Sequence, residues 1–389
     1  MGVRFELSAG VSSAIALGHC ERRVKLSGSW EIILLLVCLV LTPRIMAQGG
    51  ARVHLPPTRP TTAVAPFKSI RLGGSDYLRA VEVADYLGLK HAWLEPTRRL
   101  SFYDHKDPAQ RVELSADNRE IAVGGLRVFL GEPVRLSEGE FYLSRIDVER
   151  CLLPKLRPSL AGKPPRTPRV IVLDPGHGGS DFGMQNKDLD LKEKALTLDV
   201  ALRVKKLLEA QDWRVVLTRV DDKRLAPARA DDLKLRALAA NRAGADLFVS
   251  IHFNSLYPDT KTSGTEIYTF TPARQRSARA WGRDEEDDTE TESSPVNRYD
   301  AWSALLAQSL QRAVIDHLKS DDRGHKTMHS AVMRGLHCPG VLVESVFLSN
   351  DREARLAATP AYRQEIATAI AQGISAYVAE ITTLQKPDK

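Results

Sequence analysis

Two histidines and two glutamates carry the chemistry that this 389-residue chain offers. His177 follows Val170-Ile171-Val172-Leu173-Asp174-Pro175-Gly176, an apolar and largely β-branched run cut short by proline and glycine. It is therefore expected on a tight loop at the carboxyl end of a buried strand. His252 ends a second such run, Leu247-Phe248-Val249-Ser250-Ile251, and Glu344 ends a third, Val341-Leu342-Val343. In open α/β sheets that edge is where ligands bind. Glu193, at the start of the helix expected after the His177 loop, can return to the same edge. His177, Glu193 and His252 then supply the three protein donors of a catalytic zinc site, with a fourth position left for water. No Cys-x-x-Cys occurs, so a metal must be held by nitrogen and oxygen. Two neutral imidazoles and one carboxylate around a dication leave a net +1, enough to bring the pKa of a bound water toward neutrality.

A hydrolase also needs a base near that water. Glu344, outside the ligand triad, is the candidate, and desolvation by Val341 to Val343 and Phe347 is expected to raise its pKa toward the working pH. Asn254, two residues past His252, is read either as a substrate hydrogen-bonding residue or as a turn former. Asp174 either accepts the second N–H of a ligand histidine or caps its own loop.

These residues need elements to hold them. From residue 170 strands and helices alternate: strand 170–174, helix 191–210, strand 214–218, helix 228–243, strands 247–252 and 265–270, helix 302–319, strands near 331–334 and at 341–344, and a closing helix 361–381. That order implies an α/β fold, an open, mostly parallel twisted sheet with helices on both faces. Before it lies a small α+β domain, with a helix over 77–87 stopped by Gly88 and alternating runs at 100–103, 111–114, 120–123 and 126–130. The organisation read from this is a signal peptide at 1–47, a linker at 48–66, an accessory domain at 67–155, a second linker at 156–169 and a catalytic domain at 170–383.

Composition fits a folded protein, with 43% hydrophobic and 27% charged residues. The unbroken apolar run 32–41 follows Arg22, Arg23 and Lys25 and precedes Ile45-Met46-Ala47. It is short for a membrane span and suits a secretory h-region, so export to the periplasm or cell envelope is expected, with membrane contact only through this segment. An uncleaved anchor is the alternative. Removing residues 1–47 takes away five basic and three acidic side chains, which leaves 50 against 46 and a net charge of +4. Such a mild excess lacks the clustered basic face of a nucleic-acid binder. Cys151 and Cys338 remain after export and could pair. His325, His329 and His337 are read as surface histidines, and Asp284 to Glu292 as a flexible acidic loop.

Asp174-Pro175-Gly176-His177-Gly178-Gly179, Glu193-Lys194, the run Ala245 to Ser255 and the run Leu342 to Asn350 together resemble the zinc-dependent N-acetylmuramoyl-L-alanine amidases. Thr218-Arg219, Arg229, Ala240-Asn241 and Arg323-Gly324 match lesser positions. The resemblance covers the whole last domain. It implies one Zn2+ on His177, Glu193 and His252, and Glu344 as the catalytic glutamate. It also implies cleavage of the amide between the lactyl group of N-acetylmuramic acid and L-alanine in peptidoglycan. An activator protein is a further partner left open. Other readings are a peptidoglycan-binding protein without turnover and a zinc carboxypeptidase or deacetylase on the same polymer. Phe182, Met184, Phe253 and Val346 depart from the family's usual residues, and Phe253 and Val346 are expected to narrow the cleft. Some members carry an inhibitory helix where the acidic segment lies, but this segment is too short and too acidic for one. Tyr77-Leu78, Leu87-Gly88-Leu89 and Trp93 resemble the N-terminal domain of copper amine oxidases, which implies a spacer or wall-binding module.

Overall fold

The apolar runs at 170, 247 and 341 become the centre of one sheet. The computed structural model describes residues 67–278 and 288–386. The segments expected to direct export and to form the first linker lie outside the described residues, as does the start of the acidic segment, 284–287. Val170–Pro175 pairs in parallel with Arg214–Leu217 on one side and Leu247–Asn254 on the other. Gly340–Phe347 joins Leu247–Asn254 in parallel, Thr265–Phe270 joins it antiparallel, and Asp322–Met328 follows in parallel. The sheet of this part is thus mostly parallel.

Period-two alternation sorts its side chains onto two faces. Ile171, Leu173, Val249, Ile251, Phe253 and Val343 pack with residues of the helices Glu193–Glu209, Asp300–Leu318 and Pro360–Leu384. Val172, Phe248, Leu342 and Tyr268 face Ala237 and Ala240 of the helix Arg229–Ala243. Burying each large apolar side chain contributes about 1.5–3 kcal/mol. This is the two-faced α/β layering expected from the sequence.

Two local expectations are corrected, and one further helix is present. Residues 331–334 form a helical turn, Ala331–Arg334, and the strand of that region is Asp322–Met328. Its sequence, Asp-Arg-Gly-His-Lys-Thr-Met, reads locally as a polar loop, but ladder pairing on both sides and buried ion pairs make it a strand. The first helix begins only at Ala80, because Ser75–Arg79 is drawn into a ladder between Ser69–Leu72 and Glu140–Ser144. An additional short helix, Asp351–Ala358, is capped by the Asn350 side chain, which accepts from the Glu353 N–H at 3.1 Å.

Residues 67–156 build a core of their own around Leu78, Leu100, Phe102, Val112, Ile121 and Leu156. Antiparallel strands from Lys90–Glu95 to Leu126–Phe129 lead up to Asp322–Met328, where Val128 opposes His325, and the sheet continues through eleven strands. Asp322 Oδ2 accepts the Arg127 backbone N–H at 2.7 Å, Gln311 donates to the Arg127 carbonyl at 2.8 Å, and Lys155 donates to the Ala304 carbonyl at 3.0 Å. Before the strand Val170–Pro175, Asp246 Oδ2 accepts the Arg169 and Val170 N–H groups, each at 2.9 Å. Cys151 and Cys338 are free thiols, pushed by burial up to about 11 and about 12.

Candidate metal centre

Three elements converge at the carboxyl edge of the sheet. His177 Nε2 lies 3.1 Å from Glu193 Oε2, and His252 Nδ1 lies 2.9 Å from Glu193 Oε1. One donor atom from each of the three lies within 4.8 Å of the others. The two imidazole rings meet edge-on, with centroids 5.0 Å apart and 78° between planes. The loop backbone makes room for this packing. A Cβ on Gly176 would stand 2.3 Å from the His252 ring. At Gly183, with φ +64°, a Cβ would stand 2.5 Å from Glu193 Oε2 and 2.7 Å from the His177 ring. Either addition would displace one of these three side chains.

The local sequence explains why these groups are presented. His177 has φ +61°, a left-handed conformation that non-glycine residues adopt only when held. Arg236 supplies the hold: it donates to the Pro175 carbonyl at 2.8 Å and to the His177 carbonyl at 2.7 Å. Arg219 donates to the carbonyls of Pro175 and Gly176, at 3.0 and 2.9 Å. Burial, with Arg236 nearby, lowers Arg219 to about 10. Glu193 opens its helix without a side-chain cap. Its N–H and that of Lys194 instead bond the Met184 and Phe182 carbonyls, which ties Glu193 to the loop it faces. Burial alone would raise the Glu193 carboxyl, but hydrogen bonds and charge from His177 and His252 outweigh it and hold it well below the usual range. Met184 N–H and Phe253 N–H also donate to it, at 2.8 and 3.1 Å. For His177, burial pulls the pKa down, yet Glu193 and Asp181 carry it above the ordinary value. Two imidazoles and one ionised carboxylate, all partly or wholly withdrawn from water, fit a borderline dication such as zinc.

Residues 171–376 match the family model described as N-acetylmuramoyl-L-alanine amidase. The chain is similar to the germination-specific N-acetylmuramoyl-L-alanine amidase of Bacillus subtilis, 32% identical over 225 residues that cover 56% of this chain and 82% of that one. It is also 34% identical to the N-acetylmuramoyl-L-alanine amidase AmiA of Escherichia coli over 228 residues, 54% of this chain and 76% of that one. The chain belongs to the N-acetylmuramoyl-L-alanine amidase family. It is a cell-wall hydrolase that cuts the bond between N-acetylmuramic acid and L-alanine. A solved amidase from Clostridium difficile 630 aligns at 28% identity over 55% of this chain and 98% of that one, with a TM-score of 0.44.

In this amidase Glu344 stands beside the triad without joining its convergent donors. Its Cα opposes His252 on one neighbouring strand and Glu266 on the other. Asn254 has both ends of its amide engaged: Nδ2 donates to Glu266 Oε2 at 2.8 Å, and Oδ1 accepts the Ser255 N–H at 2.8 Å. Asp174 serves neither expected purpose. It accepts from Thr218, Ser250 and Arg236, at 2.5, 2.7 and 2.9 Å, and with Asp232 it makes a buried ion triad on Arg236.

Phe253 and Val346 do not narrow the cleft, because both are buried in the core, Phe253 on the face opposite His252. Phe182 and Met184 are the departures that reach the surface near the His177 loop. Arg229 is exposed at a helix start, and Arg236, about two turns on, is the arginine that holds the loop. The i, i+4 pair Asp232 and Arg236 on an otherwise Ala- and Leu-rich helix was the available signal. His325 is buried against Thr269 Oγ1 at 2.9 Å instead of lying at the surface, and among the described residues it joins no metal-ligating group.

Proposed function

We propose that this amidase is zinc-dependent, with His177, Glu193 and His252 as the ligands of one Zn2+ and Glu344 as the general base and then general acid. The observation that carries this reading is the convergence of the three donors from separate elements, with a carboxylate one strand away in the His252 row. A dication held there would supply Lewis acidity, polarising the lactyl carbonyl and acidifying a water. Glu344 takes a proton from the attacking water as its oxygen bonds the carbonyl carbon. It returns that proton to the alanine nitrogen as the C–N bond breaks, leaving a lactyl carboxylic acid, which gives its proton up to solvent, and a free L-alanine amine. Glu193, kept ionised, would be the anionic ligand beside the two imidazoles, while Arg236 and Arg219 fix the loop that carries His177. Asn254, fastened to Glu266, is proposed to line the substrate path.

Export through residues 1–47 is proposed on the apolar run and on the substrate's place outside the cytoplasm. Residues 67–155 are proposed as an accessory wall-contacting part ahead of the catalytic part at 170–383, and an activator protein as a further partner. The test combines metal analysis with digestion of purified sacculi. Wild-type protein should carry one zinc and release stem peptides with free amino-terminal L-alanine. Glu344→Gln should retain zinc and lose release by about a thousandfold or more. Release surviving in Glu344→Gln, or zinc content unaffected by His252→Ala, would refute the assignment.

A further inference from the structure

The geometry points to Glu266 as a positioning residue of the reaction centre, braced by Lys326 and Arg323 and, behind them, by Phe129 of the strand Leu126–Phe129. His252, Glu344 and Glu266 occupy one row across three adjacent strands. Residues directly opposed in a sheet project on the same face with Cβ atoms about 5 Å apart, and like charges so placed repel. This row is tolerable because the next strand brings two cations to Glu266: Lys326 Nζ at 2.8 Å and Arg323 Nε at 3.0 Å.

Glu266 is fully buried and also accepts from Tyr268 Oη at 2.7 Å and Asn254 Nδ2 at 2.8 Å. With four donors around its two oxygens it has little rotational freedom left. It therefore fixes the Asn254 amide at the strand end just past a ligand histidine. Burial would push the Glu266 carboxyl up, but the Lys326 charge prevails and it stays ionised. Buried ion pairs are often no more stabilising than apolar side chains of like volume, so stability alone is a weak reason for this one. Orientation of the row is the better reason.

The brace reaches beyond the amidase-family segment. Lys326 Nζ sits 5.1 Å from the centre of the Phe129 ring, and the Arg127 guanidinium lies 5.7 Å from the same ring. Gly324 has φ +96°, and a Cβ there would stand 2.7 Å from that ring, so the ring lies against the strand that carries both cations. Residues 67–155 thus contribute a side chain to the support of the reaction centre as well as any contact they make with the wall.

This inference rests on Glu344 as the base. Its test uses full-length Glu266→Gln, Lys326→Met, Lys326→Arg, Phe129→Ala and Phe129→Tyr, read as kcat and KM on sacculi together with zinc content. Glu266→Gln and Lys326→Met should lower kcat about tenfold or more, with KM within about twofold and zinc unchanged. Lys326→Arg and Phe129→Tyr should recover most of the loss, and Phe129→Ala should cost about threefold. Glu266→Gln is isosteric and decides the matter if Lys326→Met does not fold. Wild-type kcat in Glu266→Gln, or losses that follow zinc content, would overturn the proposal. An inactive Glu344→Gln beside a fully active Glu266→Gln would overturn this inference alone, whereas an active Glu344→Gln removes the reading beneath it.

Discussion

Buried acids behave in opposite ways in two regions of this molecule. At the carboxyl edge of the sheet Glu193, Asp174 and Glu266 are withdrawn from water, and burial presses each toward neutrality, yet each is held below the ordinary carboxylate range. At the seam where residues 67–156 meet the helix Asp300–Leu318, burial wins. Asp147 and Asp300 are raised, Asp300 to about 7, while Lys155 is lowered to about 8 and His325 falls well below its usual value. The difference lies in the partners. Edge acids face Arg236, Lys326 or two imidazoles within about 3 Å. Asp147 receives the N–H groups of Gly131 and Glu132, Asp300 the amide of Asn297, and Lys155 donates to the Ala304 carbonyl. A neutral dipole offsets less of the desolvation penalty than an opposite charge does. The edge is thus built to keep charge, and the seam to shed it.

Removing charge at the edge should have the largest effects. Glu193→Gln keeps the shape of the side chain and removes its charge, so zinc content should drop and sacculus digestion should fall by about a thousandfold or more. Full zinc and full activity in this variant would mean that the ionised carboxylate is incidental. Arg236→Met leaves Asp174 and Asp232 as buried acids without a cation and frees the His177 carbonyl. Urea unfolding should show a loss of about 3–5 kcal/mol. Zinc affinity should fall with it, because the left-handed His177 loses its anchor. A loss under about 1 kcal/mol would mean that the edge does not depend on paired charge.

The sequence disclosed the edge better than its supports, for a physical reason. His177, His252 and Glu344 each end a run whose periodicity is strong within a few residues, and Glu193 opens an amphipathic helix, so local pattern suffices. Arg236 and Glu266 matter through partners far away along the chain, and nothing adjacent to them reveals those partners. Glu266, within Thr265-Glu266-Ile267-Tyr268, reads as the outward residue of an alternating strand, although it is fully buried. The Asp322–Met328 strand is hidden for the same reason, since Arg323, His325 and Lys326 are satisfied by Glu266 and Thr269, more than fifty residues away along the chain. Face parity was available for Phe253: its neighbour His252 points to the site, so it must point to the core.

The seam yields smaller effects with a distinctive pH signature. Asp300 titrates at about 7 in the fold against 3.8 for the free group. Between those values the unfolded chain has released the proton and the folded chain retains it, so stability falls as pH rises, by on the order of 4 kcal/mol in all. Lys155 titrates at about 8 against 10.5. Between those values the unfolded chain holds the extra proton and stability climbs with pH, by on the order of 3 kcal/mol. The two contributions together form a trough between about pH 7 and 8. Asp300→Asn should flatten the acid side of that trough and leave the alkaline side intact. Lys155→Met should do the reverse, raising stability at neutral pH because no ammonium is then buried against the Ala304 carbonyl. Urea midpoints at about pH 5, 7.5 and 9.5 read both limbs. Parallel curves for wild type and both variants would show that seam and edge treat charge alike, and the contrast between them would fail at its weaker member.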